Sequence, residues 1–478
     1  MKFQDPNDPL DPGTSAPSGA VSAVRAWYMG AFYPGNYPAV VTFHEDRLVF
    51  GGCPNLPQRV DASVSSQYNV FSPNAVADGT VTAASAYAFS LNTDTVNSIR
   101  WMQSDSHGLL IGTAGGEWLL SPGTAGEAIS ATNVSAQNST QYGSEPIAPV
   151  RVGLETIFTQ QGGRRLRSLK YDFYVNGFLG PDITVLSEHL TVTGFKQLAL
   201  QKTPQQVIWG VRNDGQLVDV SYDRDQDEQG WNLQQLGGDP ATTKVLSVAT
   251  IPSPDGTRDE VWLAVQRVIN GATVCYVERM TKLWETGDAV SYTLSGTVQT
   301  KFVPQDTYYV DCAVRTVFGS AVTTITGLTW LEGQTVSVLA DSSTHPDVVV
   351  TGGTITLERS ATDVCIGLGY TSFSETLQLE AGGADGPAQG KIKRVHRLIV
   401  RVYDTLGLTL IAGTNQQDVS FRYSDGLMDV PPSLFNGDMP LAWEGSYDRG
   451  CYVSWEQTQP LPSNISMIAA QMETEDGG

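Results

Sequence analysis

Charge is scarce in this sequence. Asp, Glu, Lys and Arg make up 17% of its 478 residues, below the ~25% usual for soluble domains. Long amphipathic helices, which need faces of Glu, Lys and Arg, are excluded on that ground. Positive charge is scarcer still: 29 Lys and Arg stand against 50 Asp and Glu, a formal charge of −21. That balance argues against a basic nucleic-acid reader or an anionic-membrane binder, since both need a cationic face. No apolar run approaches the ~20 residues of a membrane span. The start, Met1-Lys2-Phe3-Gln4-Asp5-Pro6, lacks the apolar core and cleavage site of a secretory signal. Cysteines are few and scattered, at Cys53, Cys275, Cys312, Cys365 and Cys451, with no CxxC. Such an odd set reads as reduced, mostly buried thiols made in a cytosol.

Signatures of chemistry are missing too. His44, His107, His189, His345 and His396 never pair at short spacing, and there is no HExxH or Cys/His cluster for zinc or iron. No GxSxG, P-loop or dinucleotide fingerprint occurs. Gly112-Thr113-Ala114-Gly115-Gly116 joins two strands and lacks the following helix whose N-terminus would hold phosphate. The run from Asp223 to Gly230 alternates acids as a calcium loop does. Its sixth and twelfth places, however, hold Glu228 and Gln234 where that loop wants Gly and Glu, and a solvated acidic turn is the plainer reading. Asp182, Glu188 and His189 can be drawn as an acid–base set, but capping and solvation account for them as well. The expectation is a protein that is not an enzyme and needs no cofactor or metal.

What is present is the composition of strands and turns, with 48 glycines and many Ser, Thr, Gln and Asn, and enough apolar residues (41%) for a packed core. From residue 40 to 282 one unit recurs: apolar strand, Gly or Asn turn, apolar strand. Leu109–Gly112 crosses Gly115-Gly116 to Glu117–Leu120, and Thr156–Phe158 crosses Gly162-Gly163 to Arg165–Arg167. Val207–Trp209 crosses Asn213-Asp214-Gly215 to Leu217–Val220, and Val261–Ala264 crosses Asn270-Gly271 to Val274–Val277. Asn-Gly and Asp-Gly supply the positive φ of tight hairpin turns. An earlier strand, Arg47–Phe50, ends at Gly51-Gly52. The repeat is close to the ~40–50 residues of a propeller blade, and Trp101, Trp118, Trp209, Trp231, Trp262 and Trp284 recur near the units, where flat rings suit packing between blades.

The fold expected is therefore all-β: an irregular β-propeller over 37–282 after an N-terminal arm (1–36, whose first 20 residues are rich in Pro, Asp, Gly and Ser). An inserted small β-domain follows at 283–390, then a C-terminal β region at 391–478 that completes the propeller or a platform. Stacked β-sandwiches are the alternative. The insert shows a corner at Gly327–Leu331, a strand to Leu339, and alternation after Gly352-Gly353. Ala381–Gly390 is a loop, and Lys391–Val402 a basic strand.

Two basic clusters stand out: Arg164, Arg165, Arg167 and Lys170, and Lys391, Lys393, Arg394, Arg397 and Arg401. Three readings are open for them: charge guarding a strand edge against aggregation, contact with a neighbouring subunit, or contact with DNA phosphate.

A run of motifs is similar to a known family. Tyr37 through Gly52 (YPAVVTFHEDRLVFGG), Pro57-Gln58-Arg59-Val60 and Tyr68-Asn69-Val70-Phe71 come first. They are followed by Gly116–Ser121 (GEWLLS), Phe158–Arg165 (FTQQGGRR), Asp182-Ile183-Thr184 and Glu188-His189-Leu190. Gly327-Leu328, Leu331–Val336 (LEGQTV) and Pro460-Leu461-Pro462 complete the order. The chain resembles the tail nozzle, or tail tubular protein B, of short-tailed bacteriophages. The resemblance implies a structural protein with a β-propeller, a homo-hexamer in the virion tail, assembled in the host cytoplasm. Its partners would be a head–tail connector ring above and fibre, spike or plug proteins below, with double-stranded DNA passing through. Larger members carry a domain ahead of the first motif, where this chain has only an arm. No catalytic residue is implied. Six copies would carry 6 × −21 = −126 formal charges, and an acidic bore would let the duplex slide, within the ~8 Å reach of charge at physiological salt. A receptor- or glycan-binding propeller, with Tyr28, Phe32, Tyr33 and Tyr37 at loop tips, is the rival. A carbohydrate-active enzyme ranks behind both.

Overall fold

A computed structural model describes residues 32–475 apart from 72–79, 94–96, 125, 283–289, 295–296, 302, 304–306, 381–388, 413–414, 422–430 and 444. The N-terminal arm up to residue 31, Tyr28, Trp284 and most of the Ala381–Gly390 loop thus lie outside the described residues. The chain divides into two units. The first takes the described part of Met1–Leu233 with Val248–Thr250 and Thr257–Asp259; the second takes Gln234–Ser247, Ile251–Gly256 and the described part of Glu260–Gly478.

The first unit is a succession of four-stranded sheets, each a meander in chain order. One is β1 (Val40–His44), β2 (Arg47–Cys53), β3 (Leu56–Ala62) and β4 (Tyr87–Ser90). The next is β5 (Ile99–Asp105), β6 (Gly108–Thr113), β7 (Gly116–Ser121) and β8 (Ser135–Thr140). Then come β9 (Val150–Val152), β10 (Glu155–Thr159), β11 (Leu166–Asp172) and β12 (Gly177–Leu179), and last β13 (Phe195–Gln201), β14 (Val207–Arg212), β15 (Leu217–Asp223) and β16 (Glu228–Gln234). This is the build of propeller blades. Three hairpins expected from the turn signals before residue 233 are β6–β7, β10–β11 and β14–β15.

Alternation along the inner strands explains how the sheets hold together. Strands β6, β10 and β14 are buried along their whole length, as continuous apolar runs should be. Leu109 and Ile111 face a core shared with Val49, Val60 and Tyr87 of the sheet before, whereas Leu110 faces Phe158 and Leu169 of the sheet after. On β10, Ile157 turns to a core with Ile208 and Val220, and Phe158 turns back to Trp101. The two middle sheets are thus each sandwiched by their neighbours, with period-two residues serving opposite faces. Trp101 lies between sheets, its ring 5.5 Å from Phe158, where an interblade tryptophan is expected.

The YPAVVTFHEDRLVFGG motif has a structural explanation. Glu45 and Asp46 make the β1–β2 turn at positive φ. The Glu45 carboxylate accepts the Ile129 N–H at 2.7 Å, and Asp46 accepts the Tyr68 hydroxyl at 2.7 Å. Arg47, buried, donates to the carbonyls of Ser63 (2.6 Å) and Ser85 (2.9 Å). Strand β2 runs past Gly51-Gly52 to Cys53, so the expected stop at the glycine pair falls inside the strand.

A three-stranded sheet follows, β17 (Lys244–Pro252), β18 (Asp259–Ile269) and β19 (Ala272–Arg279), most of it in the second unit. Asn270 and Gly271 close the β18–β19 hairpin, both at positive φ, as the Asn-Gly signal demands. The remaining strands are β20 (Val290–Leu294), β21 (Thr297–Lys301), β22 (Asp311–Thr326), β23 (Thr335–Ala340), β24 (Ser343–Val349), β25 (Thr354–Leu368), β26 (Ser372–Glu375), β27 (Ile392–Thr405), β28 (Thr409–Ala412), β29 (Asn415–Asp418), β30 (Phe435–Ala442), β31 (Ser454–Gln457) and β32 (Ile465–Glu475). They form a β20–β21 hairpin and sheets ordered β22-β25-β23-β24, β26-β31-β28-β29 and β30-β27-β32. Non-sequential neighbours replace the meander here. Residue 390 falls between β26 and β31, strands of one sheet. Among the described residues no helix is long and apolar enough to cross a membrane.

Candidate functional site

The two basic clusters were open to three readings, and the edge-guard reading fails. Strand β11 lies between β12 and β10, and β27 between β30 and β32, so both are interior strands. Their cations instead meet acids and carbonyls of the same chain. Arg165 spans to Asp182 (3.2 Å) and Glu188 (3.0 Å). Arg167 donates to Gln160 Oε1 (2.7 Å) and lies 3.7 Å over the Tyr142 ring. Lys170 and Arg224 converge on the buried Glu155 carboxylate at 3.3 and 2.8 Å, where Ser168 and Tyr222 also donate. Despite its burial, Glu155 is held below the usual carboxylate range by these donors.

On β27 the case is sharper. Lys393 is 0% exposed, its ammonium bound to the Leu379 carbonyl (2.9 Å) and to Glu380 (3.2 Å). It faces inward and is not placed for DNA or a neighbouring subunit; the period-two alternation that puts its neighbours outward puts this residue in. Arg394 donates to the Gly445 carbonyl at 3.1 Å and sits over Tyr447. Arg401 pairs with Asp438 through two hydrogen bonds of 2.6 and 2.9 Å. Arg164 and Arg397 are exposed, with no such partner among the described residues, and Lys391 is half-buried. The clusters therefore act mainly as internal neutralisation.

Other expected groups resolve the same way. Asp182 accepts the Thr184 N–H (2.8 Å) and ties Arg165, holding the turn ahead of the short 3-10 helix Val185–Leu190 without capping it. Asp223 caps the 3-10 turn Arg224–Gln226 through the N–H groups of Asp225 and Gln226. Among the described residues no group of three or more His, Cys, Asp and Glu is placed to hold a metal. All five cysteines are free thiols, with Cys275 exposed and Cys53, Cys365 and Cys451 buried. Burial pushes the Cys365 thiol up to about 12, far from a reactive thiolate.

The sequence reading missed the most exposed apolar feature of the first unit. The β11–β12 hairpin ends in Phe173, Tyr174 and Val175, which are 82%, 96% and 61% exposed. The tip is built, because Asp172 accepts the Tyr174 N–H at 2.8 Å and Tyr171 donates to Asn176 at 2.6 Å, Asn176 standing at positive φ. The signal was legible as three apolar residues between Asp172 and Asn176-Gly177, where a hairpin loop is normally polar. Phe32, expected at a loop tip, packs against Phe50 and Phe71 with centroids 5.3 and 5.7 Å away. Tyr33 accepts a hydrogen bond from Asn55. Tyr37 is exposed.

The second unit adds a cleft of about 650 Å³ between the β23–β24 turn, β25 and the segments after β27 and β31.

No family model and no curated protein matches the chain. Among solved structures, it is similar to human WBSCR16, at 10% identity over 51% of this chain and 67% of that one (TM-score 0.30). It is also similar to an auxiliary nutrient binding protein from Bacteroides thetaiotaomicron, at 7% over 52% and 57% (0.29). A third likeness is to the Pan2 WD40 domain of Neurospora crassa, at 10% over 52% and 63% (0.26). The chain spans less than two thirds of the last two. No role is taken from likenesses this low.

Proposed function

We propose that the chain is a structural wall protein of a short-tailed phage tail, closing with copies of itself into a six-fold ring through which DNA passes. The observation that carries the assembly is the exposed, hydrogen-bonded Phe173-Tyr174-Val175 tip. Three large apolar groups on one ordered hairpin are the kind of anchor that a partner's pocket desolvates. Internal neutralisation of Arg165, Arg167, Lys170 and Arg401 supports the passage. With Arg165, Lys170 and Arg401 paired to acids of the same chain and Arg167 held by Gln160 and the Tyr142 ring, the −21 surplus is left as free carboxylate, which repels phosphate and does not grip it. The order of motifs from Tyr37 to Pro462 supports the family.

Mass measurement of the purified full chain tests the assembly. A particle of about 308 kDa, six times 51.4 kDa, is the expected result, and a stable 51.4 kDa monomer at micromolar concentration overturns it. A binding-module reading has one observation in its favour, the cleft of the second unit.

A further inference from the structure

The cleft in the second unit has the makings of a ligand site that the wall reading does not use. Its lining is mainly polar, with Ser343, Thr344, Glu358, Arg359 and Gln459, and is backed by buried Phe421 and Leu461. Neighbours on a regular strand point to opposite faces, so Glu358 and Arg359 should not both reach it. They do because β25 is irregular there: its register against β22 steps from Thr324↔Thr356 to Val322↔Ala361. Residues 357–360 therefore bulge out of the ladder, a device that re-aims side chains beside sites.

The bulge is held from below. His345, buried, accepts the Glu358 N–H at Nε2 (2.9 Å), while its Nδ1 lies 2.7 Å from the Pro346 carbonyl. A carbonyl only accepts, so Nδ1 carries the proton and Nε2 is bare. The imidazole thus replaces the missing ladder partner and fixes the bulge. Neither the Glu358 carboxylate nor the Arg359 guanidinium has a partner among the described residues.

We infer that this cleft binds a neutral saccharide through Glu358 and Arg359. One carboxylate and one guanidinium cancel in charge, so no net field selects an ion. Together they accept from and donate to neighbouring ligand hydroxyls, and the Ser343, Thr344 and Gln459 side chains can do both. Phe421 and Leu461, nearly closed to solvent, leave recognition to these polar groups. The volume falls within the ~300–1,000 Å³ of small-ligand pockets, room for an oligosaccharide of a few rings. A zwitterion would use the two charges but leave the hydroxyl and amide wall idle.

The test is saturation-transfer NMR on the full chain with cellotriose, maltotriose, chitotriose, galactotriose and, as the zwitterionic control, glycylglycine. At least one triose should show transfer. Its affinity should fall about tenfold in Glu358→Gln or Arg359→Gln, as loss of one charge-assisted contact does, and vanish in the double variant. Both side chains are exposed, so the fold should survive, as circular dichroism would confirm. The inference is overturned if no triose shows transfer, if the double variant binds unchanged, or if glycylglycine alone binds. It stands apart from ring assembly: a hexamer that binds no sugar sinks only this site, and a sugar-binding monomer sinks only the ring.

Discussion

Replacing Lys393 by alanine separates an inward role for the β27 cations from an outward one. The ammonium is fully enclosed, bonded to the Leu379 carbonyl and Glu380. Truncation deletes roughly three buried methylenes, about 2.4 kcal/mol at ~0.8 kcal/mol each. It also strands the Leu379 carbonyl, about 1–3 kcal/mol more if no water reaches it. Glu380 is partly exposed and regains water, so it adds little. The expected loss is ~3–5 kcal/mol, at the severe end for one substitution. Lys393→Met keeps the volume and leaves only the stranded carbonyl, so it should lose about 1–3 kcal/mol. Urea unfolding followed through the fluorescence of Trp443 and Trp455, both in the second unit, reads these differences. A loss below ~0.5 kcal/mol in the alanine variant, together with failure to assemble, would show the side chain working outward and refute the reasoning.

Three further outcomes are expected. Gly112→Ala places a methyl within the indole of buried Trp101, so soluble yield or melting temperature should drop sharply, by more than about 3 kcal/mol equivalent; wild-type stability would contradict the interblade packing. Burial pushes the Asp311 carboxyl from 3.8 up to about 6, against the opposing pull of the Gly237 N–H and Arg267. The folded state therefore holds an extra proton between those values, and stability falls as pH rises from about 4 to about 6 and then levels. Asp311→Asn, which keeps an acceptor for Gly237, should flatten that slope and add about 1–3 kcal/mol at pH 8; chemical denaturation at both pH values checks it, and an unchanged slope contradicts it. Substituting Phe173 and Tyr174 together by Ser should leave melting temperature within about 2 °C of wild type, since both are exposed, while abolishing assembly in sedimentation; intact assembly rejects the tip as an anchor.

Much of the first unit was legible because its signals are local. Leu109–Gly112 and Val207–Trp209 are apolar on both faces, which only a doubly covered strand permits, and Asn213-Asp214-Gly215 is a turn whatever surrounds it. The β22-β25-β23-β24 order was not legible, because it depends on long-range pairing that hairpin signals do not encode. The same holds for the cations: a row of Lys and Arg looks like a surface, and only the pairing partners Asp182, Glu155 and Asp438 reveal an internal function. The His345–Glu358 contact was hidden for a related reason, since a lone histidine followed by proline carries no sign that a bulge 13 residues on needs its imidazole. The apolar hairpin tip carries its signal in the sequence, Phe173-Tyr174-Val175 set between Asp172 and Asn176-Gly177, but only the structure shows that the three side chains stand exposed.

Electron microscopy of the purified chain tests the central claim most directly. Class averages should show closed rings of six copies around an open passage, each wall segment a stack of four-stranded sheets. A population of single particles without a central opening, at concentrations where the Phe173–Val175 tips should find partners, would contradict it.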